Sequence, residues 1–117
     1  MPIEFDNFRP IYIQIIEEIK LKIISGQYEC GQQLPAVRAL ALDYKVNPNT
    51  VQRSYSLLEE EGLVYSDSTN GRFVTTNKKL IEKLKEKIAK EKIELFITNM
   101  NDLGIDKNII INYLQSK

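Results

Sequence analysis

The pattern of apolar periods and turn residues predicts an α+β fold, mostly helical: three helices, a short hairpin, then a two-helix tail. Three observations carry this. Apolar residues recur at helical steps along four stretches, two short strand-like runs flank Asn70-Gly71, and Pro, Asn or Gly stands near most element boundaries. The 117 residues hold one compact domain and a short appendage, since a domain takes on the order of 100 to 150 residues. A hydrophobic fraction of 43% is ordinary for a globular chain and suffices for a modest core without disulfides or metal.

Tyr12, Ile15, Ile16, Ile19 and Ile23 give the first helix one apolar face, and Pro10 before it and Gly26 after it set its span at about 10–25. Tyr28 to Gln33, with Cys30 and Gly31, lacks a helical period and reads as a turn with at most one short strand. The second helix starts at Pro35 or Ala36, buries Val37, Leu40, Ala41 and Tyr44, and ends near Lys45. In Asn47-Pro48-Asn49-Thr50, Asn47 is suited to cap a helix and Pro48 to fill its first position, where the missing N–H is not needed. That third helix runs to about Glu61, buries Val51, Tyr55 and Leu58, and stops at Gly62.

Leu63 to Ser66 and Arg72 to Thr75 are the two strands, with the hairpin signal Asn70-Gly71 between them. Three helices followed by a hairpin is the order of a winged helix-turn-helix, here over about residues 10–76. A charged helix over about 78–98 follows, with Ile81, Leu84, Ile88, Leu95 and Phe96 as a broken apolar stripe among Lys and Glu. The last helix opens after Gly104 with Asp106 as its cap and Ile105 set to pack on Ile110, and it runs to about Gln115. The expected domains are therefore 1–77, the winged helix-turn-helix, and 78–117, a two-helix dimerisation segment. The stripe is too large to leave wet, and the same helices from a second chain are its simplest cover; folding back onto its own domain is the alternative.

Several function classes are excluded at this stage. The most apolar stretch, Ile11 to Ile24, is interrupted by Gln14, Glu17, Glu18, Lys20 and Lys22, far from the roughly 18 uninterrupted apolar residues of a membrane span. A single cysteine, Cys30, makes no internal bridge, and no charged-then-apolar leader precedes the first helix, so a cytoplasmic location is expected. The chain has no His, no Cys pair and no glycine-rich phosphate loop, and its carboxylates stand mostly on helix surfaces in i, i+4 company with Lys. No catalytic site can be assembled from these residues, and no metal or cofactor is expected.

A helix-turn-helix lays its second helix in the major groove and reads bases from that helix's N-terminal residues. With Val51, Tyr55 and Leu58 turned inward, Asn49, Thr50, Gln52, Arg53 and Ser56 face outward. Gln and Asn can pair bidentately with adenine and Arg with guanine, while Thr can touch a thymine methyl or a phosphate. The acidic run Glu59-Glu60-Glu61 would be repelled by phosphate, so the helix must enter by its N-terminal end. Arg38 sits in the first turn of the preceding helix, where a cation opposes the helix dipole; a phosphate or base contact would account for it, as would a plain surface position. Arg72 flanks the wing tip within reach of the sugar-phosphate backbone, and Gly71 either admits the main chain to the minor groove or serves the turn alone. Charge argues the other way: residues 1–77 hold seven basic and ten acidic side chains, against nine and six in 78–117.

Five ordered blocks resemble the GntR family of bacterial regulators: Pro10-Ile11-Tyr12-Ile13-Gln14-Ile15, Leu34-Pro35-Ala36-Val37-Arg38-Ala39-Leu40-Ala41, Asn47-Pro48-Asn49-Thr50-Val51-Gln52-Arg53-Ser54-Tyr55, Leu58-Glu59-Glu60-Glu61-Gly62-Leu63-Val64 and Gly71-Arg72-Phe73-Val74. The third block and the short tail are most similar to the YtrA subfamily. The resemblance implies DNA contacts from Arg38, Asn49, Thr50, Gln52 and the wing near Gly71, and a homodimer acting, usually as a repressor, on a roughly palindromic operator. It also implies control of a neighbouring operon, often one encoding an ABC transporter. The chain departs from the family pattern at Ala36, where Ser often caps the helix, at Pro48, where Arg is frequent, and at Thr69-Asn70-Gly71, where a cation usually lies between two glycines.

About 40 residues in two helices cannot enclose a ligand pocket of roughly 300 Å³, so no effector site is expected inside one subunit, while a groove between subunits stays open and any effector stays unknown. The rival reading is a winged-helix protein-interaction module without specific DNA binding, which the net acidity of residues 1–77 favours.

Overall fold

The structure is a computed structural model that describes residues 4–68 and 71–117. Helix α1 (Ile11–Ile24) forms over the predicted stripe, with Ile15, Ile19 and Ile23 buried and Tyr12 and Ile16 half-buried. Pro10 precedes it without a side-chain cap. Gln14 substitutes: its buried carboxamide donates to the carbonyls of Asp6 and Arg9 and accepts from the Asp6 amide at 2.9 Å, fastening the entering segment over the first turn. The same segment is tied by Arg9, which pairs with Asp6 at 3.1 Å and Glu17 at 2.8 Å. The Asp6 carboxyl is held below the usual carboxylate range by the Phe8 amide foremost, with the hydrogen bonds and charge of Arg9 adding to it against the opposing effect of desolvation.

Helix α2 (Val37–Tyr44) begins one residue after Ala36, which stands in extended conformation as its N-cap and makes no side-chain capping bond. It ends at Lys45, which takes a left-handed backbone (φ 58°) while the Val46 amide bonds back to the Ala41 carbonyl. Helix α3 (Pro48–Glu60) begins as predicted, with Asn47 accepting from the Asn49 amide at 2.8 Å and Pro48 in the first turn. Val51, Tyr55 and Leu58 enter the core as expected. Ser54 joins them at 0% exposure, its hydroxyl 3.0 Å from the carbonyls of both Tyr12 and Thr50, so the polar group is satisfied and pins α3 to α1.

The strands β1 (Val64–Asp67) and β2 (Gly71–Val74) pair antiparallel in the register Val64 to Val74 and Ser66 to Arg72. Each lies one residue from its predicted span. Asn70 of the Asn70-Gly71 signal lies, with Thr69, outside the described residues; Gly71 itself has φ 96°, a conformation other residues rarely hold. The segment before α2 forms an isolated bridge from Gln33 to Phe73 in place of a short strand, reinforced by Leu34 N–H to Arg72 O at 2.8 Å and Val74 N–H to Gln32 O at 2.9 Å. β2 is thus bonded on both edges, which holds the wing against the three helices. Leu34, Leu63, Val64 and Val74 close the core beneath it.

The chain divides into two compact units, Met1–Glu82 and Lys83–Lys117. Helix α4 (Lys78–Asp102) opens with Asn77 accepting from the Leu80 amide at 3.1 Å, and it runs four residues beyond the predicted Thr98. Helix α5 (Lys107–Gln115) starts at the predicted cap, Asp106, whose carboxylate accepts from the Ile109 amide at 3.2 Å. Neither helix buries a single residue. Ile81, Leu84 and Ile88 are half-buried, whereas Leu95 and Phe96 are 62% and 44% exposed. No helix among the described residues is long and apolar enough to cross a membrane.

Candidate nucleic-acid interface

The rotation of α3 about its axis is fixed by four inward residues, Val51, Ser54, Tyr55 and Leu58. Their i, i+3, i+4, i+7 spacing leaves the opposite side to Asn49, Gln52, Arg53 and Ser56, all exposed, with Thr50 half-buried at the edge. The helix cannot turn without removing Tyr55 from the core. Its hydroxyl donates to the Pro35 carbonyl at 2.7 Å, and burial pushes the phenol far above its ordinary range, so it remains a donor at every physiological pH.

Arg38, in the first turn of α2, is exposed and makes no hydrogen bond or ion pair with the described residues. The turn it occupies has no side-chain cap, so cation and open helix amides share one surface position. Arg53 is committed differently: its guanidinium lies 3.7 Å from the centre of the Tyr12 ring, stacked on α1, with Arg53 still exposed on its other side.

Arg72 does not extend toward the wing tip. Strand alternation puts it on the same face of β2 as Val74, which is fully buried, so its side chain is carried over α3. There Nη1 donates to Gln52 Oε1 at 3.2 Å and the guanidinium sits 5.5 Å from the Tyr55 ring centre. Nε lies 3.5 Å from Glu59 Oε1, near enough for charge attraction but without hydrogen-bond alignment, so that nitrogen has no hydrogen-bond partner. Ser66 donates to the same Glu59 oxygen at 2.5 Å. The structure therefore joins Gln52 and Arg72 in one cluster with Glu59 and Ser66, neither of which stood out in the sequence as functional. Phe73 faces the other way and stacks on Tyr65, rings 5.5 Å apart. Gly71 stands at the start of β2, where an added Cβ would come within 3.4 Å of the Gln33 carboxamide nitrogen.

These contacts bear on the acidic run that closes α3. At the acidic end of α3, Glu59 faces Arg72 and Glu61 pairs with Lys20 of α1 at 2.9 Å, so that of three exposed carboxylates Glu60 is the one without an ion pair among the described residues. The N-terminal half of the helix has no acidic residue, and its amide dipoles give it a positive end. Among the described residues no group of three or more Cys, Asp or Glu side chains is placed to hold a metal.

Comparison with known proteins follows the same outline. The family described as bacterial regulatory proteins, gntR family, matches residues 11–74, from the start of α1 to the end of β2. The uncharacterized HTH-type transcriptional regulator YhcF of Bacillus subtilis strain 168 is 34% identical over 113 residues, covering 97% of this chain and 93% of that protein. The HTH-type transcriptional repressor YtrA of the same organism is 35% identical over 99 residues, covering 83% and 75%. A GntR family transcriptional regulator from Listeria monocytogenes has a solved structure that superimposes with a TM-score of 0.88 at 42% identity, over 97% of this chain and 99% of that one. The chain belongs to the GntR family of bacterial regulatory proteins.

Proposed function

We propose that this transcription regulator works as a homodimeric repressor in the cytoplasm, with residues 1–77 gripping a roughly palindromic operator and residues 78–117 joining two copies. The observation that carries the DNA half is the exposed, acid-free N-terminal half of α3, presenting Asn49, Thr50, Gln52 and Arg53 beside the unpaired Arg38. Inserted by that end, α3 brings carboxamide, hydroxyl and guanidinium groups to base edges and keeps Glu60 away from phosphate. Arg38 and the uncapped start of α2 suit a phosphate, and Gly71 lets the wing backbone come near the duplex. Repression is supported by similarity to YtrA, itself named a repressor.

The dimer half rests on unit Lys83–Lys117, which buries nothing of its own while Leu95, Phe96, Leu103, Tyr113 and Leu114 stand between 44% and 68% exposed. Apolar surface of this density is covered by a partner in soluble proteins, and a second copy supplies an identical face together with Ile81, Leu84 and Ile88. Footprinting across the promoter upstream of the chain's own gene, with sedimentation of the complex, tests both halves. Two symmetric protected half-sites and a two-chain complex are expected. No protected site at moderate salt would leave the protein-docking module as the better reading.

A further inference from the structure

We propose that Arg72, from the wing, determines which base edge Gln52 of the recognition helix reads, turning it from an adenine reader into a guanine reader. The inference rests on the proposal that α3 lies in the major groove. Arg72 is held on every side that matters: its carbonyl accepts from the Leu34 amide, its guanidinium lies against Tyr55, and Nε is drawn to Glu59, which Ser66 also binds. Only 21% of its side chain is exposed. Gln52, by contrast, is exposed and reaches solvent past it.

A guanidinium carries donors only. It can engage a carboxamide through the oxygen alone, and here Nη1 does so at 3.2 Å. That contact settles the orientation of an amide that would otherwise turn freely: Oε1 faces Arg72 and the NH2 group faces outward. Bidentate pairing with adenine needs one acceptor and one donor from glutamine, to match N6–H and N7, whereas guanine presents two acceptors, N7 and O6. With its oxygen engaged by a cation and its N–H groups polarised by that bond, Gln52 offers donors outward. Oxygen keeps a second lone pair, so the consequence is a preference for guanine rather than exclusion of adenine.

The test is selection of operators from a randomised duplex pool, using the full chain as wild type, Gln52→Ala, Arg72→Met and Arg72→Lys, each checked for folding by circular dichroism. Gln52→Ala identifies the base pair governed by residue 52 as the one whose preference it removes. At that pair the wild type is expected to favour guanine over adenine by about tenfold. Arg72→Met, which keeps the aliphatic stem, should bring the ratio to one or below while preferences elsewhere in the site persist. Arg72→Lys, a single donor without the planar fork, should fall between. A merely structural role for Arg72 would weaken all positions together, and that outcome overturns the proposal. So do an adenine preference in the wild type, an unchanged guanine preference in Arg72→Met, and a Gln52→Ala variant that selects the wild-type site. If the wild type enriches no sequence at all, the DNA-binding reading itself falls, an outcome distinct from the others.

Discussion

Replacing Arg38 by Ala should separate DNA binding from folding more cleanly than any other change in this chain. Arg38 is exposed, touches no partner among the described residues, and sits where its charge opposes the dipole of α2. Its removal therefore costs the fold nothing beyond the usual ±0.5 kcal/mol of an unattached surface residue, and relief of the dipole works toward a small gain of about 0.3 kcal/mol or more. Binding should respond very differently. A dimer carries two copies, each expected to make a charge-assisted hydrogen bond worth about 1.5 kcal/mol or more, so affinity should drop on the order of a hundredfold. Each phosphate that Arg38 no longer neutralises also takes about 0.9 from the slope of log K against log salt, so the slope for a dimer should fall by about 1.8 in all. Fluorescence anisotropy over a salt series gives both numbers, and thermal melts give stability. An unchanged slope with unchanged affinity, or a melting point lowered by several degrees, would refute the role assigned to Arg38.

Three other perturbations probe different parts of the structure. Leu84→Asp with Ile88→Asp should yield monomers in sedimentation and lower operator affinity by about a hundredfold or more through lost bivalency; a variant that stays dimeric and binds normally would show the tail assignment to be wrong. Ala36→Ser, at a position already extended and uncapped, should give α2 the bond it lacks and stabilise the chain by about 1 kcal/mol, read as a higher melting point; no rise would mean the cap geometry is unsuitable. Because the Asp6 carboxyl is held below its ordinary pKa in the folded chain, its contribution is present above the unfolded value near 3.8 and lost as pH falls through the lower folded one. The melting points of wild type and Asp6→Asn should therefore differ at pH 6 and converge in strong acid, and a difference that persists there would dissociate the latch from this titration.

What was legible in the sequence is local chemistry. Asn47 caps its own helix within two residues, Asp106 within three, and the periodic isoleucines of α1 face one core because 3.6-residue geometry requires it. What escaped depends on contacts between distant segments or on polar residues in unexpected places. Ser54 stands in neither the inward nor the outward set expected of α3, yet it is buried, its hydroxyl donating to two carbonyls. Gln14 reads as a break in an apolar stripe, yet it fastens the residues that precede the helix. The reach of α4 past Thr98 was hidden because its apolar period fades after Phe96, while the backbone continues helical until the turn at Gly104.

Arg72 is the instructive case at the candidate site. Proximity to the wing tip suggested a contact with the sugar-phosphate backbone, but its partners are 13 and 20 residues back along the chain, on α3. One signal for its direction was present: Val74 is apolar enough to be core, and a residue two positions away on a strand shares its face. By contrast, the outward set on α3 followed correctly from the inward one, since fixing Val51, Tyr55 and Leu58 leaves Asn49, Gln52 and Arg53 no other side.

Sequence-specific DNA binding by residues 1–77 stands or falls on one titration. The purified full chain is added to a labelled duplex from the promoter upstream of its gene, and to a scrambled duplex of equal length and composition, at physiological salt. Specific sites typically bind about 10³-fold or more tighter than non-specific DNA, so saturation of the promoter duplex is expected at concentrations where the scrambled one remains free. Equal binding to both, or none to either, would contradict a regulator that reads its operator through α3.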